Sequence, residues 1–205
     1  MTRIKLCGLT RECDIEAANE LAPDYIGFVF AKKSRRCLSP ERAAELMRLL
    51  DPSITAVGVF VNEAPETVAG LLNRGIINIA QLHGGEDERY IRHLRSLTDK
   101  PLIQAFRMDT ADDIAPAVSS PADYILLDSG TGGTGTPFDW RLTEKIARPY
   151  FLAGGLDAGN VGAAVSFLRP YAVDVSSGIE TDGLKDKLKM TEFVRAVRGA
   201  AGRIE

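Results

Sequence analysis

The sequence ILLDSGTGGTGTPFDW, residues 125–140, is compatible with two different α/β folds. A short apolar run ends at a single carboxylate, Asp128, and a segment rich in glycine and threonine follows it. Gly130, Gly132 and Gly135 match the G-x-G-x-x-G pattern of dinucleotide-binding sheets. That pattern indicates a nucleotide site only where it follows the first strand of an open sheet and leads directly into a helix. The place of this stretch in the whole chain therefore separates the two folds.

The rest of the chain repeats a strand followed by a helix. Short apolar runs predict strands, and apolar residues at helical spacing predict the segments between them. The predicted strands cover residues 4–7, 25–30, 54–61, 76–82, 102–106, 125–127, 150–153 and 172–175. The predicted helices cover residues 11–21, 39–50, 64–72, 86–97, 111–118, 142–147, 160–168 and 184–200. Strict alternation of this kind implies a parallel sheet with right-handed crossovers.

Eight such units fold either as an open doubly wound sheet or as a closed barrel. An open sheet of eight strands would leave two edges to protect. Units of roughly 25 residues fit the short end of the barrel range, which is about 200 to over 400 residues. We therefore predict an α/β protein with one domain over residues 1–205, a (βα)8 TIM barrel. The glycine-rich stretch then follows the sixth strand and meets Pro137 before any helix, which argues against a nicotinamide or flavin site.

Composition and residue pattern argue against nucleic acid, a membrane or a metal ion as a partner of this protein. The net charge is −3, without the basic excess of a nucleic-acid-binding protein. No apolar run has the length of a membrane span, and the first residues lack the apolar region of a signal peptide. These observations predict a cytoplasmic protein with reduced cysteines and no membrane partner. Cys7, Cys13 and Cys37 form no zinc-binding pattern with His83 or His93, so no metal is expected.

In a TIM barrel the active site forms where the strands end. The unusual residues of this sequence follow the predicted strands, namely Cys7 and Gly8, residues 34–36, His83, Asp128, Gly154 and Gly155, and Ser177 and Gly178. In many barrels the loops after strands seven and eight bind phosphate through backbone N–H groups, often with a short extra helical turn. Gly154, Gly155, Ser177 and Gly178 lie in these two loops, so we predict a phosphate site there, with the extra turn starting at Ser177.

Two side chains are candidates for proton transfer. A buried cysteine alone is more often an inert apolar residue. Cys7, however, ends the first strand, where alternation places it on the same face as Arg3 and Lys5, opposite Ile4. Asp128 follows three apolar residues and precedes the glycine-rich segment, a position that predicts a partly desolvated acid with a raised pKa.

Taken in order, these segments resemble the phosphoribosylanthranilate isomerase family of tryptophan biosynthesis. The matching segments are KLCGLT at 5–10, SRR at 34–36, QLHG at 81–84, residues 127–140, LAGGL at 152–156 and DVSSGIE at 174–180. They span nearly the whole chain. Arg35 stands where the family usually has proline, so Arg35 and Arg36 are both candidates for one role, and alignment favours Arg36.

The resemblance implies an Amadori rearrangement by general acid and base catalysis, with no cofactor. The aminoaldose N-(5-phosphoribosyl)anthranilate becomes the aminoketose 1-(2-carboxyphenylamino)-1-deoxyribulose 5-phosphate. By the same resemblance, Asp128 is the acid that opens the furanose ring and Cys7, as thiolate, is the base that removes the C2′ proton. Arg36 would bind the anthranilate carboxylate. Gly154, Gly155, Ser177 and Gly178 would bind the phosphate, and His83 would contact substrate at the rim.

The roles implied by the resemblance require particular surroundings for Cys7 and for the bound sugar. A basic Cys7 needs nearby positive charge to lower its pKa. Lys5 lies deeper on the same strand, and closure of the barrel should bring it into contact with Asp174 of the eighth strand. Residues 130–136 are expected to fold over the bound sugar as a lid.

Two alternatives remain open at this stage. The first is another phosphosugar isomerase or epimerase on the same barrel, although such enzymes are expected to use paired carboxylates or a metal. The second is a non-catalytic phosphosugar-binding protein, which would need neither Cys7 nor Asp128. The sequence is compatible with a monomer or a homodimer.

Overall fold

The computed structural model describes residues 1–128 and 146–201. Eight parallel strands form a closed barrel, each hydrogen-bonded to its neighbours in the order of the chain. The strands are β1 (Arg3–Cys7), β2 (Tyr25–Val29), β3 (Thr55–Phe60), β4 (Ile79–Leu82), β5 (Leu102–Arg107), β6 (Tyr124–Asp128), β7 (Tyr150–Ala153) and β8 (Ala172–Val175). β1 pairs with β8, and this pairing closes the barrel. The predicted TIM barrel is confirmed.

Helices cover the outside of the barrel. They are α1 (Glu12–Leu21), α2 (Pro40–Met47), α3 (Pro65–Asn73), α4 (Glu88–Leu97), α5 (Ile114–Ser119), α6 (Val161–Leu168) and α7 (Lys187–Ala201). The start of α2 is the predicted one: Ser39 is its N-cap and accepts a hydrogen bond from the Arg42 N–H at 3.2 Å, with Pro40 in the first turn. The helix predicted at 142–147 falls mainly on residues outside the described part of the chain.

The last helix starts later than predicted. Residues 184–185 belong instead to a short antiparallel ribbon of β9 (Glu180–Thr181) and β10 (Leu184–Lys185). Asp182 and Gly183 connect these strands, and both have positive φ, 51° and 82°. An Asp-Gly pair of this kind is typical of a two-residue hairpin turn. The prediction was wrong because the apolar spacing of α7 continues into the ribbon and hides this turn.

Alternation along each strand separates two apolar layers. Outward residues such as Ile4 and Leu6 pack against the helices in the larger cluster. A second cluster fills the barrel interior, with Tyr25 and Phe151 among its largest members. Lys5 lies inside the barrel and is fully buried. Within the described ranges no helix is long and apolar enough to cross a membrane.

Candidate active site

The carboxyl-terminal end of the barrel collects the predicted site residues. Cys7 and Asp128 are the last residues of β1 and β6, and His83 directly follows β4. Gly154 and Gly155 follow β7 in the same way, Ser177 and Gly178 lie just after β8, and Arg36 lies in the segment between β2 and α2. Strand ends of a parallel barrel share one rim, so the fold brings these positions to one end of the molecule.

A buried ion pair lies below Cys7. The Lys5 Nζ donates to Asp174 Oδ2 at 2.9 Å, across the strand pair that closes the barrel, and the predicted contact is confirmed. Burial alone would lower the pKa of Lys5. Asp174 and Cys7 outweigh that effect, and the net result is a raised pKa. Lys5 therefore remains a cation beneath Cys7.

The Cys7 thiol contradicts one expectation. Its pKa is raised above the ordinary value, because burial outweighs the stabilising charges of Lys5 and Lys185. The prediction of a lowered pKa was wrong for the unliganded protein: the expected cations are present, but the loss of water around the sulfur has the larger effect. Gly27 makes room for this sulfur, since a Cβ there would lie 2.6 Å from Cys7 Sγ.

Asp128 has a histidine as neighbour. His83 Nε2 lies 3.3 Å from Asp128 Oδ2, and about a third of each side chain is exposed (34% and 31%). Both groups are thus accessible to a ligand. On the other side of the ring, Gln81 Nε2 lies 2.8 Å from His83 Nδ1. The sequence marked Gln81 only as part of a motif, although alternation from Ile79 places it inside the barrel. The raised pKa expected of Asp128 stays a prediction.

Two arginines meet one glutamate at the rim. Arg36 donates to Glu180 through Nε (2.6 Å to Oε1) and Nη2 (2.8 Å to Oε2), and Arg35 Nη2 donates to Oε2 at 2.5 Å. The Arg36 side chain is 21% exposed and that of Arg35 is 60% exposed. Arg36 also covers Gly8, where an added Cβ would lie 2.4 Å from its Cδ. Arg36 therefore lies over the end of β1, next to Cys7, whereas Arg35 is more exposed.

Lys185 completes this cluster. Its Nζ donates to Glu180 Oε1 at 2.7 Å and to the Ser176 carbonyl at 2.8 Å, and the Ser176 hydroxyl donates to the Cys7 carbonyl at 3.2 Å. Burial alone would raise the pKa of Glu180, but hydrogen bonds from Arg36 and Lys185 outweigh it and lower the pKa to about 2. Sequence reasoning missed Lys185 because it placed this residue in a helix.

The glycine-containing loops after β7 and β8 are two tight turns that lie in contact. Gly154 and Gly155 both have positive φ, 91° and 61°, which favours glycine. Ser177–Ile179 form the predicted extra turn, a short 3₁₀ helix. Any side chain at Gly178 would collide with the loop after β7, since its Cβ would lie 2.0 Å from the Leu156 carbonyl oxygen. The loops after β7 and β8 are therefore packed directly against each other.

Two further predictions concern a lid over the site and a metal ion. The proposed lid, residues 130–136, lies outside the described residues. Within residues 1–128 and 146–201, no three His, Cys, Asp or Glu side chains are grouped in a way that would hold a metal ion.

Known proteins resemble this chain over nearly its whole length. The family model described as N-(5′-phosphoribosyl)anthranilate (PRA) isomerase matches residues 4–196. An N-(5′-phosphoribosyl)anthranilate isomerase of Endomicrobium trichonymphae is 43% identical over 202 residues, covering 97% of this chain and 99% of the relative. One from Dechloromonas aromatica is 46% identical over 206 residues, covering 97% of each.

Solved structures agree with the sequence relatives. The crystal structure of phosphoribosyl anthranilate isomerase from Thermotoga maritima is 37% identical, with a TM-score of 0.90, and covers 97% of this chain and 100% of its own. A second structure is of a phosphoribosyl anthranilate isomerase in complex with reduced 1-(o-carboxyphenylamino)-1-deoxyribulose 5-phosphate. It has a TM-score of 0.87 and 36% identity, with the same coverage.

Proposed function

The chain belongs to the N-(5′-phosphoribosyl)anthranilate isomerase family, and on this premise we propose which of its residues carry out the isomerisation. It is an isomerase of tryptophan biosynthesis that converts an aminoaldose into an aminoketose. The reaction moves protons within one molecule and leaves its overall oxidation state unchanged, so an acid and a base suffice. The family match favours this function over the other phosphosugar enzymes and over a non-catalytic binding protein.

Asp128 is proposed to start the reaction as general acid. It protonates the furanose ring oxygen, the C1′–O bond breaks, and the anilino nitrogen supplies the electrons that form a Schiff base. The observation that supports this role is its place at the end of β6, beside His83 and partly open to a ligand. Its carboxylate is left ionised after the transfer, and His83 Nε2 at 3.3 Å is placed to stabilise that charge.

Cys7 is proposed to act next, as general base. The thiolate removes the C2′ proton of the Schiff base, giving an enolamine that tautomerises to the ketone. A raised pKa makes the thiolate scarcer at neutral pH but a stronger base once formed. Lys5 and Lys185 both stabilise the thiolate, so part of the cost of burial is offset at the point where the base is needed.

The two ends of the substrate require separate anion sites. We propose that Gly154, Gly155, Ser177 and Gly178 bind the phosphate through backbone N–H groups, supported by the positive φ angles and by the contact between the two loops. Arg36 is proposed to bind the anthranilate carboxylate. Glu180 holds its Nε and Nη2, and within the described residues Nη1 makes no hydrogen bond, so the Nη1 edge remains for the substrate.

The remaining proposals concern phosphate binding and location. A solved relative holds a reduced phosphosugar product, which supports a phosphosugar as substrate here. All three cysteines are free, as expected of a protein kept in the reducing cytoplasm. Direct contact of His83 with substrate stays a prediction.

Single substitutions test the two catalytic roles. The loss of phosphoribosylanthranilate is followed by its fluorescence in Cys7→Ala and Asp128→Ala, with the exposed Cys13→Ala as matched control. Removal of a general acid or base should lower kcat by about 10²- to 10⁴-fold, and the control should match the wild type. Turnover that survives unchanged in both site variants would refute the assigned roles.

A further inference from the structure

Gln81 is a buried polar residue that the proposed chemistry does not use. It is the third residue of β4, its side chain is 1% exposed, and alternation from Ile79 directs it into the barrel. Its Nε2 lies 2.8 Å from His83 Nδ1, and His83 Nε2 lies 3.3 Å from Asp128 Oδ2. Gln81, His83 and Asp128 thus form a continuous polar chain from the barrel interior to the proposed general acid.

This chain selects one form of the His83 ring. An amide NH₂ group only donates, so the ring nitrogen that faces it must accept with its lone pair. Nδ1 of His83 is therefore unprotonated. A neutral imidazole carries its single proton on the other nitrogen, so the hydrogen is on Nε2, which lies 3.3 Å from Asp128 Oδ2.

The reverse orientation of the amide is less favourable. In the present orientation, Oε1 of Gln81 is buried and has no hydrogen-bond partner among residues 1–128 and 146–201. Exchanging oxygen and nitrogen would bury the NH₂ group there instead, with both of its donors unpaired. Buried orphan donors are rarer in proteins than acceptors that lack a full set of partners. The amide therefore donates to the ring.

We propose that Gln81 is a positioning residue that holds His83 in the Nε2–H tautomer, aimed at Asp128. The Nε2–H then faces Oδ2 of Asp128, so the proton to be transferred to the substrate ring oxygen is the one carried by Oδ1. In the other tautomer the lone pair of Nε2 would accept that proton and withhold it. The effect on proton transfer rests on the proposed role of Asp128 as general acid. The tautomer of His83 does not depend on that role.

The tautomer is measured directly by nuclear magnetic resonance. The chain contains two histidines, His83 and His93, so ¹⁵N-labelled imidazole signals are assigned with one His93→Gln variant. Long-range ¹H–¹⁵N correlations of the wild-type protein should show His83 protonated at Nε2, with Nδ1 bare. A spectrum with the proton on Nδ1 would overturn the inference, and it would leave the role of Asp128 to its own alanine variant.

Two substitutions connect the tautomer to turnover. Gln81→Glu supplies an acceptor at the same place, so the His83 proton should move to Nδ1 and kcat should fall by about tenfold or more, with KM changed much less. Gln81→Met removes the hydrogen bond that selects one tautomer of His83. Both tautomers should then appear, and kcat should fall by less than in Gln81→Glu.

Gln104 provides the matched control. This glutamine of the adjacent strand β5 is hydrogen-bonded to Glu86 and Ser120, away from His83, so Gln104→Met should leave the His83 spectrum unchanged. If His83 changes tautomer in Gln81→Glu while kcat stays at the wild-type value, the positioning role is wrong even though the tautomer is right. If Asp128→Ala keeps full turnover, the proposed function fails independently of this result.

Discussion

The two ends of the barrel interior are built by the same strands but from different chemistry. At the amino-terminal end, Phe151 lies 5.4 to 5.9 Å, between ring centroids, from each of Tyr25, Tyr124 and Tyr171. At the carboxyl-terminal end, the strands end on ionisable groups such as Cys7 and Asp128. Since inward positions alternate along each strand, the first inward residue can close the barrel while the last is free for catalysis. The contrast predicts that damage at one end affects stability and at the other affects turnover.

The largest expected effect on stability is at the aromatic end. Phe151→Ala leaves a cavity among three rings and should lower the free energy of unfolding by about 4 kcal/mol. Urea denaturation measures that loss. The folded fraction should keep its kcat/KM, because the ring packs against Tyr25, Tyr124 and Tyr171, none of which is a proposed site residue. A large drop in kcat/KM at full folding would break the separation between the two ends.

Lys5 lies between the ends and should show both effects. Lys5→Met leaves Asp174 buried without its partner and should lower the free energy of unfolding by about 3 kcal/mol. The loss is no larger because the Asp174 carboxylate can take up a proton and become neutral. The same substitution should raise the pKa of Cys7 further. This pKa is measured from the ultraviolet absorbance of the thiolate, after the signal of the same variant carrying Cys7→Ser has been subtracted.

The double variant Lys5→Met/Asp174→Leu separates these two effects. Removal of both charges should restore much of the stability, since replacing a buried ion pair by apolar residues is often nearly neutral. Asp174 itself raises the pKa of Cys7, so this pKa should be lower in the double variant than in Lys5→Met. An unchanged pKa would show that the charge of Asp174 does not reach the thiol.

Glu180 gives a pH-dependent prediction for the catalytic end. Its folded pKa of about 2 lies below its ordinary value of 4.5, so its ionised form stabilises the fold. That stabilisation is present above pH 4.5 and is lost as the pH falls towards 2, amounting to roughly 2–3 kcal/mol. Across this range the free energy of unfolding, measured by denaturation at each pH, should depend more steeply on pH in the wild type than in Glu180→Gln. Equal slopes would contradict the lowered pKa.

Tyr171→Phe should have the smallest effect. The Tyr171 hydroxyl lies 3.1 Å from that of Tyr25 and 3.5 Å from that of Tyr124, at the aromatic end of the barrel. Removal of one such hydrogen bond should lower stability by about 1 kcal/mol. Thermal unfolding should register it, and kcat should not change. A loss several times larger would mean that the hydroxyls, and not the rings, hold this end together.

Most of the fold followed from residue patterns, because they impose geometry directly. Alternation in β1 sets Lys5 and Cys7 inside the barrel, and closure with β8 leaves Asp174 as the neighbour of Lys5. The start of α7 was wrong because apolar spacing does not show where a hairpin interrupts it. At the site, the positions of Cys7 and Asp128 were predictable as strand ends.

The energetics of the site were less predictable. The pKa of Cys7 depends on whether burial or charge is larger, and a sequence gives no measure of burial depth. Gln81 and Lys185 were missed for a related reason. Their importance comes from distances across the barrel rim to His83 and Glu180, and no spacing along the chain encodes those distances.

The order of the two proton transfers is the central claim, and a kinetic isotope effect tests it most directly. Substrate deuterated at C2′ is compared with ordinary substrate in the wild type, Cys7→Ser and Asp128→Asn. If Cys7 removes this proton after Asp128 has opened the ring, Cys7→Ser should enlarge the isotope effect on kcat, because C–H cleavage becomes slower. Asp128→Asn should shrink it towards unity, because ring opening then limits the rate. The reverse pattern, or an equal effect in both variants, would contradict the account.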